Sequence, residues 1–459
     1  MEQERATPRL ARGLGLKVAI VIVLGLVMLV PLELVRGIIL ERAERAQEVT
    51  AEIAGKWAAS QTLRGPFLLL PAERANPNIP GAEPTRRMLV LLPEDFTATA
   101  QTATETRSRG IFDAEIYTAK IRLAGSFDEG SLDPALLEDG WRLRPEQAML
   151  ALGVSDPRGL QEDLSLTWDG KGAEVKLGMP AAFLALEGVH WPVQVFAGDA
   201  SDNFAIEMTL RGSAALSLLP AGRQSRLSIA GNWASPSFDG TSLPLRHDVS
   251  GEGFSAEWRV SHLARALPQS WSSYQAPGPD WRNLFVGVKF LDPVDFYRLS
   301  ERSVKYGALF IALTFLVFFL FELLLGVAIH PVQYLLVGAA LVVFFLSLVA
   351  FAELVGFAAA YGLSALIVAG MISLYSAAVL RRRLWGGLLF ALTAALYGLL
   401  FLILRLEEAA LLSGTLVLLA ALAVTMFVTR RLDWSVPAGL PGRARPEAHS
   451  AAGKDESPL

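Results

Sequence analysis

Glu322 stands in FLVFFLFELLLGVAIH, a run with no other charge. An ionised carboxylate in hydrocarbon is costly, so such an acid faces a helix bundle or a wet cavity. Two roles fit. One is a proton or ion site. The other is a structural acid, protonated, hydrogen-bonded to a neighbouring helix or reached by water from the near membrane face. Gly326 follows at i+4 and His330 at i+8, near one helical stripe, so a Glu–His relay is one arrangement. A histidine beside Pro331 is otherwise a turn residue at the interface. At 1.5 Å per residue Glu322 lies ~10 Å from the end of its span.

Other charges mark the ends of apolar runs. Glu353 closes one, and Arg405, Glu407 and Glu408 mark the turn between two later ones. They are candidates for pairing across a bundle mouth, or are solvated loop charges. Ser201-Asp202-Asn203 spells an element of penicillin-binding enzymes, but no Ser-x-x-Lys precedes it and no Lys-Thr-Gly follows. Ser303-Val304-Lys305 has the spacing of a Ser–Lys dyad, although Lys305 also serves as a flanking charge at a membrane edge. His190, His247 and His262 lack metal-ligand spacing. Walker, Rossmann and Gly-x-Ser-x-Gly patterns are missing. The chain has no cysteine, which excludes disulfides and thiol chemistry. No catalytic residue, metal or cofactor is expected. Trp233, Trp258 and Trp271, with Trp281, are either buried core aromatics or an aromatic-lined surface for glycan or peptide.

The elements that position these residues are of two kinds. Leu16–Val35 is an apolar run of the ~20 residues a helix needs to cross a bilayer. It ends without a small-residue cleavage site and reads as an uncleaved anchor. Residues 37–60 then form an amphipathic helix leading from membrane to domain, with Leu40, Ala43, Ala46, Val49, Ile53 and Trp57 at helical spacing. From Tyr306 onward the apolar period returns. Five spans are expected at Tyr306–Ile329, Val332–Ala352, Gly356–Leu380, Trp385–Leu404 and Leu411–Val428. The first two are divided by His330-Pro331, because proline disfavours helix at the residue before it. Residues 1–15 are a short N-terminal segment, and 430–459 a polar Pro/Gly/Ala/Arg tail without an apolar period.

Between the anchor and the bundle, roughly residues 37–305, the composition is that of a soluble domain. Polar and apolar residues alternate in several stretches, among them RMLVLLPEDFTATAQTAT, IFDAEIYTAKIRLAGSFD and FSAEWRVSHL. Asp169-Gly170 between two such runs signals a hairpin. Residues 132–152 are weaker and could hold a short helix. The expected fold is a six-helix membrane bundle with a large β-rich, sandwich-like domain inserted between its first and second helices.

Arg5, Arg9 and Arg12 precede the anchor, Lys17 stands at its start, Arg381-Arg382-Arg383 fills one loop, and Arg430-Arg431 follows the last span. With six crossings these fall on one side, so both termini are expected in the cytoplasm and the β domain outside. The formal charge of −4 carries no nucleic-acid signal.

FFLFELLLGVAIHPVQYLLVGAAL, FAELVGFAAAYGLSAL, MFVTRRLDW, ERAERAQEV…QTLRGPFLLLP and GNWASPSFDGTSLP…FSAEWRVSHLARALPQSW resemble the CreD family of bacterial inner-membrane proteins. The resemblance runs from the anchor to Trp434 and is most specific at His330-Pro331-Val332-Gln333-Tyr334. It implies a role in cell-envelope integrity, control by a two-component system and tolerance of envelope-directed agents. It implies no reaction and no catalytic residues. The expectation is a non-catalytic inner-membrane protein in lipid bilayer. Its periplasmic β module would bind an envelope component or protein partner, and its helices could associate as a homo-oligomer. The alternative is a membrane conduit or lipid-handling protein that uses Glu322, and a membrane-bound enzyme is a third reading.

Overall fold

The computed structural model describes residues 11–75, 83–196, 201–265, 267–274, 284–290, 296–325, 329–380, 383–406 and 410–430. Arg5, Arg9, Gly326, Trp281, Arg381, Arg382, Glu407, Glu408, Trp434 and the tail lie outside these. The chain divides into two compact units. One holds Arg42–Asp295, and the other joins Met1–Glu41 with Phe296–Leu459.

Arg42–Asp295 is a β module of two sheets. In the eight-stranded sheet the order is 246–250, 253–261, 224–231, 95–109, 112–128, 201–213, 165–168 and 171–173. Neighbours run antiparallel except 224–231 beside 95–109, which are parallel. Alternation sorts the side chains. Phe96, Ala98 and Ala100 are buried with Ile121, Leu123, Ile206, Met208, Leu227 and Ile229. Asp95, Thr97, Thr99 and Gln101 stay outside. Asp169 (φ 45°) and Gly170 (φ 77°) form the two-residue hairpin turn that their sequence requires, with both central residues left-handed.

The ten-stranded sheet is built around strand Gln61–Arg74, whose LLLP run is buried nearly continuously. That pattern marks a strand covered on both faces. One apolar core joins the two sheets. Residues 132–152 hold no α-helix. They form 3-10 turns at Pro134–Leu137 and Pro145–Gln147 around strand Arg142–Leu143 and the start of Met149–Val154. Each turn closes on an extended residue, Glu138 and Ala148, so neither propagates.

The helical unit contains α1 (Ala11–Trp57), α2 (Phe296–Lys305), α3 (Gly307–Leu325), α4 (Pro331–Val355), α5 (Phe357–Leu380), α6 (Arg383–Arg405) and α7 (Ala410–Thr429). Six of the described helices are long and apolar enough to cross a membrane, α2 being the exception. The amphipathic helix expected over residues 37–60 is the continuation of the anchor helix. α1 runs unbroken to Trp57, entering the β module at Arg42. At the junction between the anchor and the charged stretch only Pro31 and Gly37 could interrupt it. A lone glycine costs about 1 kcal/mol, and an intramembrane proline is tolerated where neighbouring groups take up the freed carbonyl. α2 belongs with the helical unit, so the β module ends at Asp295, short of the boundary expected at 305.

The anchor part of α1 packs through Met28, Leu32, Val35 and Ile39, spaced four, three and four residues apart. Two glycines make room. A Cβ at Gly338 of α4 would lie 2.7 Å from Met28 Cγ, and one at Gly307 of α3 would lie 2.9 Å from Leu32. Close approach through small residues drives helix association in lipid. The same device joins α5 to α6, where a Cβ at Gly386 would meet Ala377 at 2.5 Å, and Ser373 donates to the Gly386 carbonyl at 2.7 Å.

Candidate functional site

Glu322 lies in the last described turn of α3, with its side chain 11% exposed. Its carboxylate accepts from the Ile329 N–H at 3.2 Å and from the Tyr334 hydroxyl at 3.1 Å. It is also ion-paired with the Lys17 ammonium. One acid thus joins α1, α3, the turn and α4. Tyr334 is held by burial and by edge-on contacts with Phe315 and Phe318, at 5.5 and 6.3 Å between ring centres.

His330 is not part of this constellation. It is exposed and caps α4, with Nδ1 accepting from the Val332 N–H at 3.3 Å. The Gln333 side chain accepts from the His330 N–H at 3.0 Å, and Pro331 starts the helix. The Glu–His relay is therefore corrected: Lys17 and Tyr334 are the partners of Glu322. Sequence reasoning missed both. Lys17 was legible only as a flanking charge, although a lysine and an acid in two apolar runs of one bundle signal a pair.

The bundle-mouth residues also part company. Glu353 on α4 accepts from the Tyr297 hydroxyl of α2 at 3.1 Å. Arg405 on α6 lies over the Phe401 ring at 5.0 Å. Nearby, Glu301 of α2 bonds Arg36 of α1 at 3.3 Å and Lys305 at 3.1 Å. Lys305 is thus a paired flanking charge. Ser303 donates to the Leu299 carbonyl at 2.8 Å, and the dyad is not formed.

In the β module two of the tryptophans are core residues, as the first of the two readings has it, and the alternative of an aromatic surface is overturned for them. Trp258 is 1% exposed and donates Nε1–H to the Ser242 carbonyl at 3.1 Å, while Trp271 is 3% exposed and edge-on to Phe67. Trp233 is half-buried against the same core. The alternation in FSAEWRVS places Trp258 beside Phe254, Ala256 and Val260, so its burial was legible. Among the described residues no group of His, Asp or Glu has the arrangement of a metal site. Asp202 of the SDN triplet is buried. It accepts from the Phe196 N–H at 3.0 Å and shares a hydrogen bond with Asp169.

One open feature of the module is the outer face of the eight-stranded sheet. Ser228, Thr99, Arg122 and Glu207 stand in one cross-strand row, with Ala230, Gln101, Lys120 and Thr209 in the next. They line a depression of about 560 Å³. Arg122 and Glu207 pair at 2.6 Å. Thr209 donates its hydroxyl to Asp163 at 2.6 Å, and that bond holds the Asp163 carboxyl below the ordinary carboxylate range. The floor is made of short hydroxyl, amide and methyl groups, with longer charged side chains at one side.

The family model described as inner membrane protein CreD matches residues 13–435. The inner membrane protein CreD of Escherichia coli (strain K12) is 34% identical over 419 residues, covering 89% of this chain and 91% of that protein. A match over nearly the whole length, with six apolar helices and an inserted β module, places the chain: it belongs to the CreD family of multi-pass inner membrane proteins.

Proposed function

We propose that this protein supports the integrity of the cell envelope without catalysing a reaction, its β module binding an envelope component or a protein partner. The module lies on the periplasmic side, because Arg5, Arg9, Arg12, Lys17, Arg381–Arg383, Arg430 and Arg431 would otherwise all face outward. The observation that carries the binding role is the uncovered depression around Thr99, Gln101 and Ser228. A sheet face of short polar groups offers hydrogen bonds at little entropic cost to an extended glycan or peptide. The helices anchor the module in lipid. α7 fits that surrounding, since Leu412, Leu416, Leu419, Leu422 and Met426 are exposed along it.

The conduit reading has less support. The Glu322 carboxylate is engaged by Lys17, Tyr334 and Ile329, and the described cavity beside Phe318, Gln333 and Ser376, about 10 Å³, has room for one water. Photo-crosslinkers placed at Gln101 and Ser228 in living cells test the binding role. One common adduct from both positions, not formed from Arg86, is the expected result. Failure of both positions to capture any common species counts against it.

A further inference from the structure

Strands Gln61–Arg74 and Thr85–Leu91 pair so that Arg74 lies opposite Thr85, and Ala72 opposite Arg87. Arg74 and Arg87 are therefore diagonal neighbours on one face of the sheet. Trp141 is brought to them by a left-handed turn at Asp139 (φ 61°) and Gly140 (φ 82°), just before strand Arg142–Leu143 pairs with Ala72 and Glu73. The Arg87 guanidinium sits 4.1 Å from the indole centre and that of Arg74 5.0 Å.

Two cations share this ring, as Arg107 at 5.6 Å and Arg211 at 4.5 Å share that of Trp57; the donors of Arg87 are what set this pair apart. Nε and Nη2 of Arg87 are shut off from water and meet no acceptor among the described residues. Neither arginine makes an ion pair among the described residues. Burial, and then the charge of Arg74, press the Arg87 guanidinium below the ordinary arginine value, while Tyr274 and Asp139 act in the opposite sense. Stacking on indole offsets part of the cost of such a charge, but buried donors without acceptors remain costly. The contrast with the adjacent residue is direct: Arg86 bonds Glu73 at 3.0 Å, and Arg144 bonds the same acid at 2.8 Å.

We infer that Arg74 and Arg87, gathered on Trp141, bind a phosphate group. Guanidinium forks match tetrahedral oxyanions, and a phosphate between two of them supplies acceptors to donors on both sides. The phosphate could come from a soluble phosphate ester or from a phospholipid headgroup. This site lies on the ten-stranded sheet and does not depend on the role proposed for the outer face of the other sheet.

The test is titration calorimetry on the full chain in maltoside detergent and phosphate-free buffer. Inorganic phosphate, glycerophosphoglycerol and acetate are the probes. Phosphate or the glycerol diester is expected to bind, with Arg74→Gln and Arg87→Gln each weakening it about tenfold or more. Arg86→Gln is expected to leave affinity unchanged. Tighter binding of the diester supports the site and assigns it to headgroups; tighter binding of inorganic phosphate supports it and assigns it to soluble esters. Arg74 is half-buried, so Arg74→Gln keeps the test decisive if circular dichroism shows that Arg87→Gln misfolds. Absence of binding, equal binding of acetate, or affinity indifferent to Arg74→Gln overturns the inference.

Discussion

Tyr334 of α4 donates its hydroxyl to Glu322 of α3 at 3.1 Å, on the same carboxylate that takes the Lys17 ammonium of α1. The acid that looks most like a transport residue in the sequence is thus a junction of three helices. Lys17→Met or Glu322→Gln leaves a charge without its partner. Each should lower stability in detergent by about 1–3 kcal/mol, less than the roughly 3–5 kcal/mol for breaking a fully buried pair, because Lys17 is partly exposed. The double exchange Lys17→Glu with Glu322→Lys should recover part of the loss. Thermal melts of the purified protein check this, and additive losses with no recovery would refute the pairing.

Met28 of α1 rests on Gly338 of α4, where no side chain fits. Gly338→Leu should overpack the contact at a cost of about 1–3 kcal/mol. Gly362→Leu, where a Cβ would meet nothing within 4 Å, should cost much less. Comparison of the two melting temperatures is the measurement.

Asp156 takes a two-pronged bond from Arg158, at 2.8 and 2.7 Å, and the Ala59 N–H at 2.9 Å. Arg158 is the main cause that holds its carboxyl down at about 2. An unfolded aspartate titrates near ~3.9, so the bond's contribution is complete above about pH 4 and is lost as pH falls through the folded value. Asp156→Asn should destabilise the β module by about 1–2 kcal/mol at pH 7. The gap should close toward pH 2 in melts followed by circular dichroism.

Asp202 has the opposite sign. Burial first, and then Asp169, push its carboxyl up to about 6, while the Phe196 N–H acts the other way. Its favourable contribution is complete below the unfolded value near ~3.9 and is lost as pH rises through the folded one. Asp202→Asn keeps an acceptor for Phe196 and adds a donor for Asp169. It should raise the melting temperature at pH 8 and leave it unchanged at pH 4. A gain of equal size at both values would contradict the assignment.

Much of the architecture was legible because its signals are local. Hydrocarbon-length runs, the His330-Pro331 break, period-two alternation and Asp169-Gly170 each dictate structure within a few residues. The unbroken course of α1 past Gly37 was less legible, since it depends on packing along the helix and not on a breaker. The partners of Glu322 depend on distances between helices, which periodicity does not carry; Lys17 lies some three hundred residues away in sequence. Trp258 could have been placed by parity, whereas Trp271 sits in a three-residue strand whose partner, Val90, no local pattern reveals.

The central claim is that function resides in the outer face of the β module and not in the intramembrane acid. Survival of cells lacking their own copy under an envelope-directed agent tests it most directly, with variants compared at matched membrane levels. The parent protein and Glu322→Gln are predicted to restore tolerance, and Thr99→Arg combined with Ser228→Arg to fail to do so. Full tolerance in the Thr99→Arg, Ser228→Arg protein would contradict the account.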